Sequence, residues 1–441
     1  MSYVPNTARQ VEKMLESIGK NSIDDLFADI PEDVKLARPL NLDQGKTEFE
    51  VLEKLEALAD KNEIFKTSFL GAGAYRHYIP SLVGHLANRA EFVTAYTPYQ
   101  AEISQGVLKA IFEYQTTVCE LTGMDLANAG LYDGAHAAAE AAMMFKERKR
   151  IKTLVSAAAK PMVIETVKTY CDSAGTPFDL IPAKDGKTDL DALKSELDDT
   201  VASVYIEYPN FYGLIEDAKA VADLVHGAGA KFIIGAYPIA LAVLKTPAQL
   251  GADAAVGEAQ PLGMPLAFGG PYLGYMAVTS AHMRKLPGRI AGQTTDKNGK
   301  TAYVLTLQAR EQHIRREKAG SSICTNAALC ALTATIYCAA MGKEGLIEVA
   351  EQCYSKAHYA AEKISSVKGY TLTHQGEFFN EFLTACPEEP DALLGRLRQN
   401  GILGGLPIEI DGKNHILWCL TEVNNKAEID NLAELLKEGV K

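Results

Sequence analysis

No apolar run in this 441-residue chain approaches the ~20 residues needed to cross a bilayer. The opening stretch, MSYVPNTARQVEKMLESIG, lacks the apolar core of a signal peptide and reads as an amphipathic helix. Both absences point to a cytoplasmic protein. Positive charge is in deficit: 44 Lys and Arg stand against 56 Asp and Glu, a formal net charge of −12. That balance opposes a nucleic-acid partner, because phosphate backbones require a basic face. The eight cysteines, from Cys119 to Cys419, show no CxxC spacing and mostly lie in apolar helical context. Reduced, buried thiols are expected from them, with no zinc site or disulfide framework and no other metal. Internal repeats and low-complexity tracts are also missing. What is present, 47% hydrophobic and 23% charged residues, suits a soluble globular chain with a core large enough for two or three domains.

The pattern divides into three blocks. Residues 1–66 read as a polar helical arm, with Ser22 in SIDDLFADIP placed to cap a short amphipathic helix. Residues 67–325 alternate helical periodicity with short apolar strands, the sign of a mainly parallel α/β sheet. The clearest unit runs from a strand at 201–207 through a helix at 217–227 to a strand at 231–235. Residues 326–441 read as a smaller α+β domain, with helices at 327–341, 346–366, 390–400 and 426–437 and strands at 370–374, 377–385 and 415–422.

A further absence is local. The segment AAVGEAQPLGMPLAFGGPYLG (254–274) resembles the cofactor-lysine loop of pyridoxal-phosphate (PLP) enzymes, yet it contains no lysine. In enzymes of the aspartate-aminotransferase fold this loop carries the Schiff-base lysine. A strand end about two dozen residues earlier carries an aspartate that keeps the pyridine nitrogen protonated. Here the two positions read Gln260 and Ala236. A glutamine amide is not nucleophilic, and alanine cannot support the ring's positive charge. The expected fold is therefore α/β, a PLP-dependent transferase (aspartate aminotransferase-like, fold type I) large domain with a mainly parallel sheet, plus a C-terminal α+β small domain. The expected chemistry is that of a chain which gave up its own cofactor site.

Three motifs in the middle block carry polar chemistry. TPYQAEISQ places Thr97, Tyr99, Gln100, Glu102, Ser104 and Gln105 ahead of an amphipathic helix. They suit either helix caps or a wall of hydrogen-bonding groups on a substrate pocket. NAGLYDGAHAAAEAAMM sets Asp133 and Gly134 before an alanine-rich helix, the kind of terminus that seats a cofactor phosphate. It offers His136 where a hydroxyl residue usually helps, so it reads as an ordinary capped core helix or as a cradle without its phosphate. LTLQAREQHIRREKAGSSICTN gathers Arg310, His313, Arg315, Arg316 and Lys318 ahead of Ser322. That cluster could bind an anion, or could be a solvated basic helix balanced by Glu311 and Glu317. KERKRIK (146–152) reads as the exposed end of a helix.

These segments, together with FLGAGAYRHYIP (69–80), resemble the glycine cleavage system P-protein along nearly the whole chain. Within that family the match is to the alpha, N-terminal-half subunit of the split form. The resemblance implies a subunit of EC 1.4.4.2, inactive alone, that pairs with a subunit 2 as αβ or α2β2. It implies PLP bound by subunit 2 and not covalently by this chain, glycine as substrate, and the lipoyl arm of the H-protein as acceptor of the aminomethyl group. The residues expected to face that shared site, with no covalent role, are Thr97, Tyr99, Gln100, Glu102, Arg310, His313 and Ser322. Ala129, Gly130, His136 and Gly320-Ser321-Ser322 depart from the family pattern. Two other readings are a non-catalytic scaffold that docks the H-protein and an autonomous PLP enzyme using a lysine elsewhere, such as Lys231 or Lys245.

Overall fold

In a computed structural model, residues 5–36, 38–94 and 97–439 are described. Met1–Ile64 form one unit and Phe65–Lys441 another. The first unit holds two helices, α1 (Ala8–Ser17) and α2 (Glu48–Ala59). Each begins in a reciprocal capping box, Thr7 with Gln10 and Thr47 with Glu50, which satisfies donors that a helix start leaves open. None of its described residues is buried. The helix expected after Ser22 is instead a single 3-10 turn, Asp24–Phe27. Ser22 and Asp25 hydrogen-bond to one another, and this local pairing competes with helix extension.

The second unit is built on a seven-stranded sheet. In chain order its strands are β1 (Leu126–Ala127), β2 (Lys152–Ser156), β3 (Phe178–Ile181), β4 (Val201–Tyr208), β5 (Lys231–Ala236), β6 (Ala254–Glu258) and β7 (Gly274–Val278). Across the sheet they run β1-β7-β6-β5-β4-β2-β3. β3, β2, β4, β5 and β6 pair in parallel, while β7 is antiparallel to both its neighbours. Every residue of β4 is buried, as expected of a central parallel strand covered on both faces. The helices that matter for the site are α3 (Gln105–Thr122), α4 (Gly134–Met144), α5 (Pro161–Ser173) and α6 (Ala218–Gly227). α4 is nearly all alanine along its inner face, so it lies close on the sheet. Ala137, Ala138, Ala141 and Ala142 share a core with Val155, Tyr205, Ile233 and Val256. No described helix is long and apolar enough to cross a membrane.

The C-terminal part combines a long helix, α7 (Ala328–Ser365), with α8 (Pro390–Gln399), α9 (Lys426–Glu438) and a three-stranded antiparallel sheet. That sheet is ordered β8 (Glu381–Ala385), β10 (Lys413–Cys419), β9 (Leu406–Ile410). α7 is in fact two helices joined at Gly342, whose φ of +62° interrupts the helical backbone. The expected strand at 370–374 is only a single bridge, Leu372 to Thr384. The one expected at 377–385 starts at Glu381, because Phe378 and Phe379 instead meet the backbone around Leu214. β9 had no expectation; its run LPIEI follows a Gly-Gly pair and is half exposed. The basic run after α4 is more than an exposed helix end, since Arg150 donates to three carbonyls, those of Asp198, Val201 and Ala228.

Candidate functional site

A crevice of about 390 Å³ opens at the carboxyl ends of β4, β5 and β6, the place where open α/β sheets bind ligands. Glu207, Ala236 and Glu258 reach it from the strand ends, Gly134 from the start of α4, and Lys160 from the start of α5. Its polar groups are occupied by one another. The Glu207 carboxylate accepts from the Lys160 backbone at 3.0 Å and from its ammonium at 3.1 Å on one oxygen, and from the Tyr205 hydroxyl at 3.2 Å on the other. Gln260, 1% exposed, accepts from the Tyr75 N–H at 3.2 Å. Its amide donates to the carbonyls of Tyr75 at 3.1 Å and Met264 at 2.7 Å. Ala236 presents a methyl group, and its carbonyl accepts from Tyr275 at 2.6 Å.

Behind the crevice lies a buried acid network that the sequence did not reveal. Glu381 accepts from the Tyr75 hydroxyl at 2.7 Å and the Ala72 N–H at 2.6 Å. Burial raises its carboxyl, against the pull of those two donors. His77 joins Glu422, 2.7 Å from Nδ1, to the Tyr237 hydroxyl at Nε2. Burial also holds the Tyr75 and Tyr237 hydroxyls well above the usual phenol range, so both stay protonated.

The start of α4 takes its capping from within the chain. Asp133 accepts from the His136 N–H at 2.8 Å, and Glu258 accepts from the Gly134 N–H at 3.0 Å. The His136 ring turns away from the crevice, packing between Tyr132 and Tyr170 at centroid distances of 4.8 and 5.9 Å.

A second polar cluster gathers the other motifs around Arg289. Its guanidinium lies 5.2 Å from the centroid of the Tyr99 ring and pairs with the buried Glu311 carboxylate. The Tyr99 hydroxyl accepts from the Asn326 N–H at 3.1 Å, and the Asn326 side chain reaches the Gly130 carbonyl. Arg310 donates to the Gly288 carbonyl at 2.6 Å. Burial, then the neighbouring Arg289 charge, lowers the Arg310 guanidinium to about 10. His313 is exposed, 3.4 Å from Glu311. Arg289, Glu311, His313 and Arg316 line a recess of about 340 Å³.

The structure thus brings Tyr99, Arg310 and His313 together. Thr97 sits beside them, its carbonyl accepting from Ser104 at 2.8 Å. Gln100, Glu102 and Ser322 are exposed. Gln105 serves the fold, bonding the Tyr303 N–H and carbonyl, each at 2.8 Å. Arg289, Glu311 and Asn326 were missed as organising residues. Asn326 and Glu311 lie inside a quoted motif, whereas a lone arginine after Pro287-Gly288 gives no sequence signal. The loop 128–134 connects the two places: Ala129 donates to the Arg289 carbonyl at 2.8 Å, and Gly134 lines the crevice.

Comparison with known proteins matches residues 1–436 to the glycine cleavage system P-protein family. A probable glycine dehydrogenase (decarboxylating) subunit 1 from Moorella thermoacetica is 50% identical over 99% of both chains. One from Geobacillus thermodenitrificans is 49% identical, again over 99% of each. A crystal structure of glycine decarboxylase (P-protein) of the glycine cleavage system, in inhibitor-bound form, superposes with a TM-score of 0.93. It shares 42% identity and covers 99% of this chain and 100% of its own. The sphingosine-1-phosphate lyase of Burkholderia pseudomallei, 14% identical with a TM-score of 0.66 over 92% and 94% of the chains, shares the fold alone.

Proposed function

Because the chain belongs to the glycine cleavage system P-protein family, as subunit 1 of glycine dehydrogenase (decarboxylating), we propose that it completes a decarboxylase site whose PLP is held by subunit 2. The crevice residues do not fit the cofactor. Gln260 offers no amine, its amide is saturated by Tyr75 and Met264, and Ala236 offers no carboxylate to a pyridine nitrogen. The lysine at the crevice, Lys160, is bonded to Glu207. These observations also disfavour an autonomous PLP enzyme.

The contribution of this chain is the face around Arg289, and one observation carries that assignment. Tyr99, Arg289, Glu311 and Asn326 hold one another in place and Arg310 is tied to the Gly288 carbonyl, while His313, Gln100, Glu102 and Ser322 stay exposed. In the αβ or α2β2 assembly this face closes over the site of subunit 2. Thr97 and Tyr99 shape its wall, and Gln100 and Glu102 supply hydrogen-bonding groups at the rim. Arg310, His313 and Ser322 position an anionic or polar group there, including the approach of the H-protein's lipoyl arm. Closure excludes water, which strengthens every charge interaction inside. PLP on subunit 2 supplies the electron sink for loss of carbon dioxide from glycine. No covalent step falls to this chain.

Co-expression with subunit 2, followed by glycine–bicarbonate exchange and sizing with light scattering, tests the proposal. Activity is expected only with both chains present, in a complex larger than either. Exchange by one chain alone, or no shift in size on mixing, would overturn it. A pure scaffold role predicts normal exchange after substitutions across 97–105, and such a result would decide for that reading.

A further inference from the structure

Glu258 ends β6 and turns its carboxylate to the N-terminus of α4. Three backbone donors converge on it: Gly134 N–H at 3.0 Å on one oxygen, and Gln260 N–H at 2.8 Å and Leu273 N–H at 3.1 Å on the other. A helix start with free N–H groups is the natural seat of a phosphate, and a carboxylate placed there satisfies the same donors. The approach is close. A Cβ on Gly134 would fall 2.8 Å from the Glu258 nitrogen and 3.0 Å from the Gly257 carbonyl carbon, so only glycine lets α4 begin against β6. Asp133 takes the N–H of His136, two residues further into the helix. The start of α4 therefore faces the crevice with two carboxylates where an incoming anion would need donors.

We propose that Glu258 is a built-in anion that closes the phosphate cradle of this crevice. The loss of the Schiff-base lysine at position 260 and the blocking of the cradle are then two separate barriers to a phosphorylated cofactor. Glu258 connects them physically, since the carboxylate oxygen that accepts from Leu273 also accepts from the Gln260 N–H. It fixes the loop in which Gln260 stands. Restoring an amine at position 260 alone would leave the phosphate facing negative charge. The proposal concerns only this crevice and does not depend on which face meets subunit 2, so it can fail while the decarboxylase reading stands.

The test uses the full-length chain with inorganic phosphate and with PLP as probes. Wild type, Glu258→Ala and Glu258→Gln are compared by thermal unfolding in phosphate against chloride at matched ionic strength. Wild type is expected to show no phosphate-specific rise, and both variants a rise of at least about 2 °C, because a ligand that binds the folded state raises its stability. The isosteric Glu258→Gln removes the charge and keeps the shape, so it carries the comparison if Glu258→Ala does not fold. In parallel, Gln260→Lys and the double variant Gln260→Lys/Glu258→Gln are incubated with PLP and reduced with borohydride. Covalent pyridoxyl is expected in the double variant and not in the single one. Equal trapping by both, a phosphate response in wild type, or folded Glu258 variants without one would each overturn the proposal.

Discussion

Gln260→Leu separates the hydrogen bonds of Gln260 from its bulk, since leucine is close to isosteric. The substitution leaves three buried backbone groups without their partner: the Tyr75 N–H, the Tyr75 carbonyl and the Met264 carbonyl. Each orphaned group costs about 1–3 kcal/mol, so the loss is at least roughly 3 kcal/mol. Burying leucine at this site returns about 1.5 kcal/mol of transfer free energy. The hydrogen bonds win, and a net destabilisation of about 1.5–2 kcal/mol or more is expected. At about 2 °C per kcal/mol for a large domain, the apparent Tm falls by roughly 3–4 °C. Gln260→Glu sharpens the reasoning through pH. At neutral pH its carboxylate would face two carbonyl oxygens, which raises its folded pKa above the unfolded value of about 4.3. Its stability is then full below about pH 4 and is lost as pH rises through the folded pKa. Scanning fluorimetry across pH reads both variants. A Gln260→Leu chain within 1 °C of wild type, a threshold of about half a kcal/mol, would refute the view that this amide is a structural clamp.

Tyr99→Phe and Arg310→Ala are each expected to lower exchange by the reconstituted complex about ten- to hundredfold, the effect of losing roughly 1.5–3 kcal/mol in a desolvated site. The complex and its PLP spectrum should be retained, and wild-type rates for both variants would remove these residues from the site. Borohydride reduction of the isolated wild-type chain with PLP should leave no pyridoxyl-lysine in a defined pocket, as peptide mapping would reveal. Asp253 gives a pH prediction of opposite sign to that of Gln260→Glu. Burial would raise its carboxyl, but the Phe232 N–H, His226, Lys231 and His282 outweigh burial and hold it below the usual range. Its stabilisation is present above the unfolded pKa of about 3.9 and is lost as pH falls through the folded one. The stability gap between wild type and Asp253→Asn should therefore narrow in acid, and an equal gap at both ends of the titration would contradict it.

What the sequence disclosed was set by periodicity and by turn chemistry. The β4–α6–β5 unit was legible to within a residue because β4 is apolar throughout and Asp217 caps α6, accepting from the Ala220 N–H at 3.2 Å. The two segments of α7 were legible because Gly342 interrupts the apolar pattern. Irregular segments were not. The strand expected at 370–374 has apolar residues in alternation, but its pairing with β8 stops after two backbone hydrogen bonds, Thr373 N–H to the Leu383 carbonyl and Ala385 N–H to the Thr371 carbonyl, and alternation does not say how far a pairing runs. The same limit governed the sites. Tyr99 and Arg310 stood in dense polar motifs, whereas Arg289 acquires meaning only when folding brings residues 99, 289, 311 and 326 together. Gln260 was noticed as a missing lysine. Glu258, two residues away, carries no signal of its own in the sequence, because the helix start it meets lies 124 residues earlier.

The two places differ in a way that bears on which one meets a ligand. In the crevice the carboxylates of Glu207 and Glu258 and the amide of Gln260 each have protein partners. A ligand entering there must break bonds already made, and it gains only the difference. Around Arg289 the account is open: Arg289 Nε, Arg310 Nε and Glu311 Oε1 are buried without a protein partner among the described residues. Unpaired buried groups are costly and are kept where something else completes them. Positive charge there is also in slight excess, with Arg289, Arg310 and Arg316 against Glu311 and Glu317. The occupied crevice and the open Arg289 face are joined by the loop 128–134 that touches both. Substitutions that loosen this loop should disturb the Arg289 face through the Ala129–Arg289 and Gly130–Asn326 contacts, whatever their effect on the crevice.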